Sequence, residues 1–522
     1  MRRFNTTGLC VPRKHYMVDV SGRVAQIRVM VDAGDYFCVN RPRQYGKTTL
    51  LAALERSLAE AYEVASFSFQ RLSYADFASE AAFVRALCRN VPKACRTLPA
   101  PVAERMIEVA RDRQVEWVMG DLFDLFEEWV EQSGQPVVLI IDEVDSATSN
   151  QVFLDFLARL RDQYLLHEKD PSYPAFQSVI LAGVTDVKHL KARIRPEEQA
   201  RPNSPWNIAA DFKVDMSFSV ADVAGMIADY EADHATGMDV DVMAAEIVAW
   251  TGGYPFLASR ICQLVDEGGL SWDHVGLDAA VKSLLVESNT LFESLTGKLE
   301  AYPDLRMLLR SILMEGERLP YSPDHDGIAQ LVMYGFVRRT SDNSVRVANR
   351  IFETRLYDLF ILEDRIAGSR VYREGEFGRS KFVRGGRLDM CSVLEGFREA
   401  YGRVWGPIEE GEHFSEFDGR RQFLLFLKPI INGTGNYYIE AQTRDQTRTD
   451  VVVDYAGEQF VVELKVWYGR ARHEEGEEQL RGYLEHFGLD VGYMLSFNFN
   501  RHKEPGLRRV VVGDKVLWEE TI

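Results

Sequence analysis

Apolar residues along this chain follow two different periods. Residues 35–40 (DYFCVN) form a short apolar run that reads as a buried strand, and Thr48 to Ala61 carry helical spacing. Helical patterns dominate residues 76–132. Residues 136–141 (PVVLII) are too short for a helix, rich in β-branched side chains and bounded by Gly134 and Pro136, so they read as a strand. Residues 177–184 (QSVILAGV) are another such run. Strands alternating with helices predict βαβ units and a parallel sheet.

After about residue 215 the strands stop, and 219–290 reads as a bundle of short helices. Helical patterns at 304–314 and 325–334 then lead into GFVRRTSDNSVRVANR, a strand, a turn at Asp342-Asn343 and a second strand. Helices followed by a β-ribbon suggest a winged-helix-like module, a shape that serves either DNA binding or plain spacing. The stretch 366–388 breaks the periodicity with Gly368, Gly375, Gly378, Gly385 and Gly386. Across 365–388, Arg365, Arg370, Arg373, Arg379, Lys381, Arg384 and Arg387 face only Glu374 and Glu376. It reads as a phosphate-contacting strip or as a solvated basic linker, and the glycines favour the linker. Beyond it come helical patterns at 389–404 and 413–428, a turn at Asn432-Gly433-Thr434-Gly435, and strands at 437–442, 449–454 and 459–466. A polar helix at 474–488 and a strand at 491–497 complete the pattern.

The expected fold class is therefore α/β, in five parts. These are a nucleotide-binding domain at 1–215, a helical lid at 216–295, a winged-helix-like module at 296–365, a basic linker at 366–388 and a second α/β domain at 389–522. A length of 522 residues suits three or four domains. No run approaches the ~18 apolar residues of a membrane span, and MRRFNTTGLC lacks the apolar core of a secretory signal. None of the six cysteines sits in a CxxC pair, so reduced thiols and a cytoplasmic location are expected. The formal charge of −18 argues against coating nucleic acid by bulk attraction, while leaving room for a local basic groove.

The segment Arg41-Pro42-Arg43-Gln44-Tyr45-Gly46-Lys47-Thr48-Thr49 follows a strand and opens a helix, where a Walker A loop belongs. Backbone N–H groups and the helix N-terminus would cradle ATP phosphates, Lys47 would reach the β- and γ-phosphates, and Thr48 would ligate Mg²⁺. Arg41 stands where that pattern has its first glycine. The strand Val137–Ile141 leads into Asp142-Glu143, a Walker B signature: Asp142 for the Mg²⁺ shell, Glu143 for the attacking water. Thr185, after the third strand, is a candidate sensor. Arg193, Arg195 and Arg201 are candidate arginine fingers from a neighbouring subunit or surface charges, so a homo-oligomer stays open. Arg260, on the helix after Gly252-Gly253-Tyr254-Pro255, could lie against the γ-phosphate or at the surface.

A second constellation is Asp450, Glu463 and Lys465. Glu463 and Lys465 are two apart on an apolar strand and share a face. A hairpin closing through Tyr455-Ala456-Gly457-Glu458 sets Asp450 opposite Glu463, with Cβ atoms roughly 4.5–5.5 Å apart. Two carboxylates that close repel unless a cation such as Mg²⁺ or Mn²⁺ lies between them. Lys465 would then stabilise a phosphodiester transition state. Glu440 is a candidate third carboxylate, and Gln479 lies on the helix expected over the site. A surface salt bridge is the alternative.

These motifs resemble the bacterial AAA-ATPase-like proteins in which a P-loop ATPase is fused to a C-terminal PD-(D/E)XK nuclease-superfamily domain. The resemblance is carried by FNTTGLCVPRKHYMVD, NRPRQYGKTT, LIIDEVD, FLKPIINGTGNYYIEAQ, RTDVVVDY, VVELKVW and EEQLRGYL. It implies an AAA+/STAND-like core, a helical lid and a restriction-endonuclease-like fold, with Asp450, Glu463, Lys465 and Gln479 as nuclease residues and His15 and Tyr16 near the adenine. It also implies RPR in place of the first glycine. The expectation is an ATPase coupled to a Mg²⁺-dependent DNA nuclease, by analogy in mobile-element or defence biology. The rivals are a nucleotide-switched scaffold that binds DNA or protein without cutting, and a remodeller of proteins.

Overall fold

The computed structural model describes residues 2–185, 187, 206–315, 317–366, 369–405, 414–432, 434–442, 448–467, 469–500 and 504–522. The chain divides into two compact units. The first is Met1–Val248 with Gly253–Ala280 and Gln330–Gly335; the second is Ala249–Gly252, Val281–Ala329 and Phe336–Ile522.

The first unit opens with strands β1 (Arg3–Phe4) and β2 (His15–Tyr16), paired in parallel. Helix α1 (Ser21–Asp32) precedes β3 (Phe37–Asn40), α2 (Lys47–Leu58) and β4 (Glu63–Ser68). Helices α3 (Glu80–Ala94), α4 (Ala100–Arg111) and α5 (Met119–Gln132) lead to β5 (Val137–Asp142), α6 (Gln151–Lys169) and β6 (Ser178–Gly183). The strands form a parallel sheet in the order β3-β6-β5-β4. Alternation along β5 explains why its run is apolar throughout. Val138 and Ile140 join Ile27, Leu50 and Leu54 beneath α1 and α2, while Leu139 and Ile141 join Phe83, Phe126 and Phe156 on the other face. A strand buried on both sides has no polar register to keep.

Helices α7 (Val220–His234), α8 (Val240–Thr251), α9 (Pro255–Glu267), α10 (His274–Val286), α11 (Thr290–Ala301), α12 (Pro303–Arg310) and α13 (Asp326–Met333) follow in sequence. Strands β7 (Val337–Arg339) and β8 (Val345–Val347) then form an antiparallel ribbon, before α14 (Arg350–Ile366).

The linker expected at 366–388 is not a linker where the structure describes it. It holds helix α15 (Arg370–Phe382) and a two-strand hairpin, β9 (Val383–Arg384) and β10 (Arg387–Leu388). Two of its glycines are packing residues: Gly375 and Gly378 are buried, and a Cβ at Gly375 would stand 2.1 Å from the Phe426 carbonyl oxygen.

Helices α16 (Met390–Trp405) and α17 (Glu416–Ile431) precede β11 (Gly435–Gln442), β12 (Arg448–Tyr455) and β13 (Glu458–Val466). Then come α18 (Arg470–Phe487), β14 (Val491–Phe497), β15 (Gly506–Val512) and β16 (Lys515–Thr521). The sheet order is β11-β12-β13-β14-β16-β15, with β13, β14 and β16 parallel and the rest antiparallel. Its two faces differ. Register places Glu463, Lys465, Ser496 and Glu519 on one face, which α18 covers. The other face carries α16 and α17: Arg398 bonds Glu520 at 2.6 Å, and a Cβ on Gly419 would strike the Phe497 ring. Among the described residues no helix is long and apolar enough to cross a membrane.

Candidate functional site

The loop between β3 and α2 is shaped by backbone conformation. Gln44 (φ 56°) and Gly46 (φ 82°) are both left-handed, which turns the chain sharply into the N-terminus of α2. A glycine is the natural occupant at Gly46. The Lys47 ammonium folds back over the loop and donates to the carbonyls of Arg41 (2.9 Å) and Pro42 (3.0 Å). Lys47 is buried, and its pKa is lowered by desolvation, against the pull of Glu143, Asp145 and Asp142. The Thr48 hydroxyl donates to Asp142 Oδ2 at 3.0 Å, so the side chains expected to share Mg²⁺ already meet. Arg41 does not obstruct the loop: its guanidinium donates to the Val214 carbonyl at 2.7 Å and lies over the Phe212 ring. The side chain that replaces the first glycine thus points out of the phosphate cradle.

Other elements tie down the same loop. Tyr254 donates to the Arg43 carbonyl at 2.5 Å and meets Tyr45 edge-on. The Tyr45 hydroxyl lies 2.8 Å from Ser217 Oγ. Gly253 (φ 75°) permits this, because a Cβ there would stand 2.3 Å from the Phe218 carbonyl oxygen. The backbone N–H of Cys10 donates to Thr49 Oγ1 at 3.1 Å, which brings the N-terminal segment to the start of α2. His15 is buried in that segment, with its pKa lowered by desolvation and by Arg3 and Lys14. The Tyr16 hydroxyl donates to Asp233 at 2.9 Å.

Beyond β5, Glu143 is left-handed (φ 56°) and half-buried, and desolvation together with Asp142 raises its pKa. The strand beside β5 is β6, and Thr185 follows two residues after its end. A residue given no role from the sequence makes the connection. Asp145 accepts from the backbone N–H of Val184 and of Thr185, both at 2.7 Å. Gly183 makes room, since its Cβ would stand 3.0 Å from Asp145 Oδ2. Asp145 therefore clamps the loop that carries Thr185 to the loop that carries Glu143. The second aspartate of LIIDEVD was the available signal. Arg260 forms an ion pair along its own helix with Glu267 (3.7 Å), and its approach to a phosphate gains no support. Arg193, Arg195 and Arg201 lie outside the described residues.

In the second unit, β12 and β13 close through Tyr455 and Glu458, with Ala456 (φ 50°) and Gly457 (φ 84°) at the tip. The ladder runs from that pair out to Val451 opposite Val462. The side chains of Asp450 and Glu440 lie outside the described residues. Glu463 is 1% exposed, and its Oε1 is 2.9 Å from the Lys465 ammonium. Helix α18 lies over Lys465, where a Cβ on Gly476 would meet Lys465 Cε at 3.1 Å. Gln479, on the same helix, donates to the Tyr483 hydroxyl. A further cluster shares the face: His473 Nε2 lies 3.0 Å from Glu519 Oε1, and Arg508 and Ser496 also bond Glu519. The pattern D…ExK does not signal it.

The geometry makes the comparison with known proteins specific. A family model described as an AAA-like domain matches residues 20–360. The chain belongs to the AAA-like domain family. A second model, the PD-(D/E)XK nuclease superfamily, matches residues 436–510. The AAA-like match takes in Walker A, Walker B and the Asp145 clamp; the nuclease-superfamily match takes in Asp450, Glu463, Lys465 and Gln479. An uncharacterised WD repeat-containing protein of Synechocystis is 29% identical over 132 residues, 25% of this chain and 10% of that protein. The chain thus spans about a tenth of the length of this curated relative. Among solved structures, a Walker-type ATPase of Pyrococcus abyssi is similar at 13% identity and a TM-score of 0.45, covering 68% of this chain and 99% of its own. The ORC2 protein of Aeropyrum pernix is similar at 15% identity and a TM-score of 0.41, covering 70% and 98%. By the two family models, an AAA-like domain is followed in this chain by a segment of the PD-(D/E)XK nuclease superfamily.

Proposed function

We propose that this chain hydrolyses ATP and uses the nucleotide state to control DNA cleavage by its C-terminal domain. The observation that carries the ATPase half is the contact between Thr48 and Asp142, with Lys47 poised above the loop and Glu143 beside it. Lys47 would exchange its carbonyl partners for β- and γ-phosphate oxygens. Thr48 and Asp142 would hold Mg²⁺, which when bound neutralises charge on the phosphates. Glu143 would orient the attacking water and accept its proton, a role helped by a pKa above that of an ordinary carboxylate. Thr185, held by Asp145, would report on the γ-phosphate.

The cleavage half rests on the β12–β13 register and the buried Glu463–Lys465 pair. Burying a carboxylate in a β core is costly unless a cation compensates it. Lys465 compensates it in part, and Asp450 with Glu463 would hold a divalent ion, Mg²⁺ or Mn²⁺, which when bound acidifies a water near a phosphodiester. Lys465 would stabilise the developing phosphate charge, Gln479 would orient substrate, and Glu440 could add a third oxygen ligand. Plasmid nicking is the test, for wild type, Asp450→Ala and Lys47→Ala, with each metal and with or without ATP. Cleavage lost in Asp450→Ala and made ATP-independent or abolished in Lys47→Ala supports the reading. Wild-type protein that turns over ATP yet never nicks DNA points instead to a switch that binds without cutting.

A further inference from the structure

Helix α15 has one buried face and one basic face. Val371, Tyr372, Gly375, Gly378 and Phe382 are buried. Arg370, Arg373, Phe377 and Lys381 recur every three or four residues, which aligns them in one stripe. All four are exposed, and Phe377 is 82% exposed. Glu374 is four residues after Arg370 and also 2.8 Å from Arg403, and Glu376 is three after Arg373; against these two acids α15 and the hairpin after it carry six cations, so the surface keeps a positive surplus.

The hairpin that follows continues the charge. Arg384 and Arg387 face each other across β9 and β10, and both are exposed. Gly385 (φ 58°) and Gly386 (φ 81°) make the tip tight enough to bring them together. Arg387 is also 3.5 Å from Glu458. Like charges directly opposite on a β ladder are destabilising, so an anion between them would relieve the hairpin. In a chain of formal charge −18 this surface is a local exception.

Cations alone would suit any polyanion. An exposed aromatic ring in the middle of them is more selective, because it offers a flat apolar face between charged neighbours. Single strands of nucleic acid present that combination, phosphates in a line with unpaired bases beside them. We propose that α15 and the β9–β10 hairpin form a surface that binds single-stranded DNA, with Phe377 stacking on a base and Arg370, Arg373, Lys381, Arg384 and Arg387 contacting phosphates. The proposal rests on the reading of the second unit as one that acts on DNA. Helix α15 packs on α17, which lies on the opposite face of the sheet from Glu463 and Lys465. The surface is thus an anchor separate from the acidic pair.

The test is fluorescence anisotropy of the full chain with a labelled oligothymidine, across a salt series. Phe377→Ala should weaken binding about 5- to 150-fold, the range of one aromatic–base stack. Arg373→Glu with Lys381→Glu should abolish binding at moderate salt. Arg373→Ala with Lys381→Ala should lower the salt slope by about 1.4, at about 0.7 per phosphate contact on a single strand. ATP turnover should stay at the wild-type rate in every case, and an unchanged thermal melt of the second unit reports that the variants fold. Wild-type affinity in Phe377→Ala, or equal Phe377-insensitive binding of heparin, duplex and single strand, overturns the proposal. Stripe-dependent binding by a protein that never cleaves upholds the anchor and refutes the nuclease reading. Cleavage and tight binding that ignore the stripe do the reverse.

Discussion

Asp145→Ala is the substitution whose consequences the structure specifies most closely. It deletes two charge-assisted hydrogen bonds, to the N–H of Val184 and of Thr185, both at 2.7 Å. Bonds to a charged group are each worth roughly 1.5–3 kcal/mol net. Asp145 and both donor positions are only half-buried, so water would recover part of the loss. A total of about 2–3 kcal/mol is the expected cost. At ~2–4 °C per kcal/mol for a domain of this size, thermal unfolding of the first unit should fall by roughly 4–12 °C. Asp145→Asn keeps one oxygen acceptor but faces the second N–H with an amide donor, so it should lie between wild type and alanine. The functional signature is separate. The N–H bonds hold Thr185 in place, so ATP turnover should drop by about tenfold while ATP affinity changes little. Melting curves with steady-state hydrolysis read both quantities. If Asp145→Ala melted within 1 °C of wild type and hydrolysed ATP within twofold, the clamp would have no role.

Four further expectations follow from the same geometry. ATP with Mg²⁺ at about 100 times its Kd should stabilise the wild type by about 2.7 kcal/mol, and Lys47→Ala should abolish that shift in a thermal melt. The raised pKa of Glu143 means that hydrolysis should fail at a higher pH than an ordinary glutamate would allow: the base is lost as pH falls through the raised value. Glu143→Gln should remove the activity and with it that acid limb. Lys465→Ala leaves Glu463 buried without its ammonium, at a cost of roughly 3–5 kcal/mol, and Mn²⁺ should restore more of the melting temperature there than in wild type; equal metal effects would speak against a cation site. Gly375→Val should destabilise the second unit by more than about 1–3 kcal/mol, since even a Cβ at this position collides with the Phe426 carbonyl, and chemical denaturation would measure it.

What the sequence made legible depended on whether a residue's neighbours were local. The loop from Arg41 to Thr48 and the strand ending at Asp142 are contiguous motifs, and the β12–β13 register followed from the Ala456-Gly457 tip because a two-residue turn fixes every pair beyond it. Strand β4 was not expected, because Glu63 on one face and Ser66 and Ser68 on the other make it resemble a surface segment until β5 pairs with it. Strands β15 and β16 were missed because Arg508, Arg509, Glu519 and Glu520 look like loop charges; in the structure Arg508 and Arg398 compensate Glu519 and Glu520. The linker reading of 366–388 failed for a related reason. Glycine counted as flexible chain is, at Gly375, the condition for two helices to approach closely, and only the partner Phe426 reveals this. Asp145 escaped notice because the N–H groups it holds belong to residues 39 and 40 positions away.

The turn at Ala456-Gly457 also bears on how the second unit assembles. The contacts that set Val451 opposite Val462 close a loop of about a dozen residues and need no other element. The pairing of β13 with β14 must wait for the whole of α18 to cross over. Local hairpins form in microseconds, whereas long crossovers are slow. The β12–β13 hairpin should therefore take its register early on the folding pathway, before α18 arrives to cover Lys465. Ala456 holds a left-handed conformation that asparagine or glycine adopts more readily, so Ala456→Asn should hasten the early step while leaving the later closure of the helix unchanged.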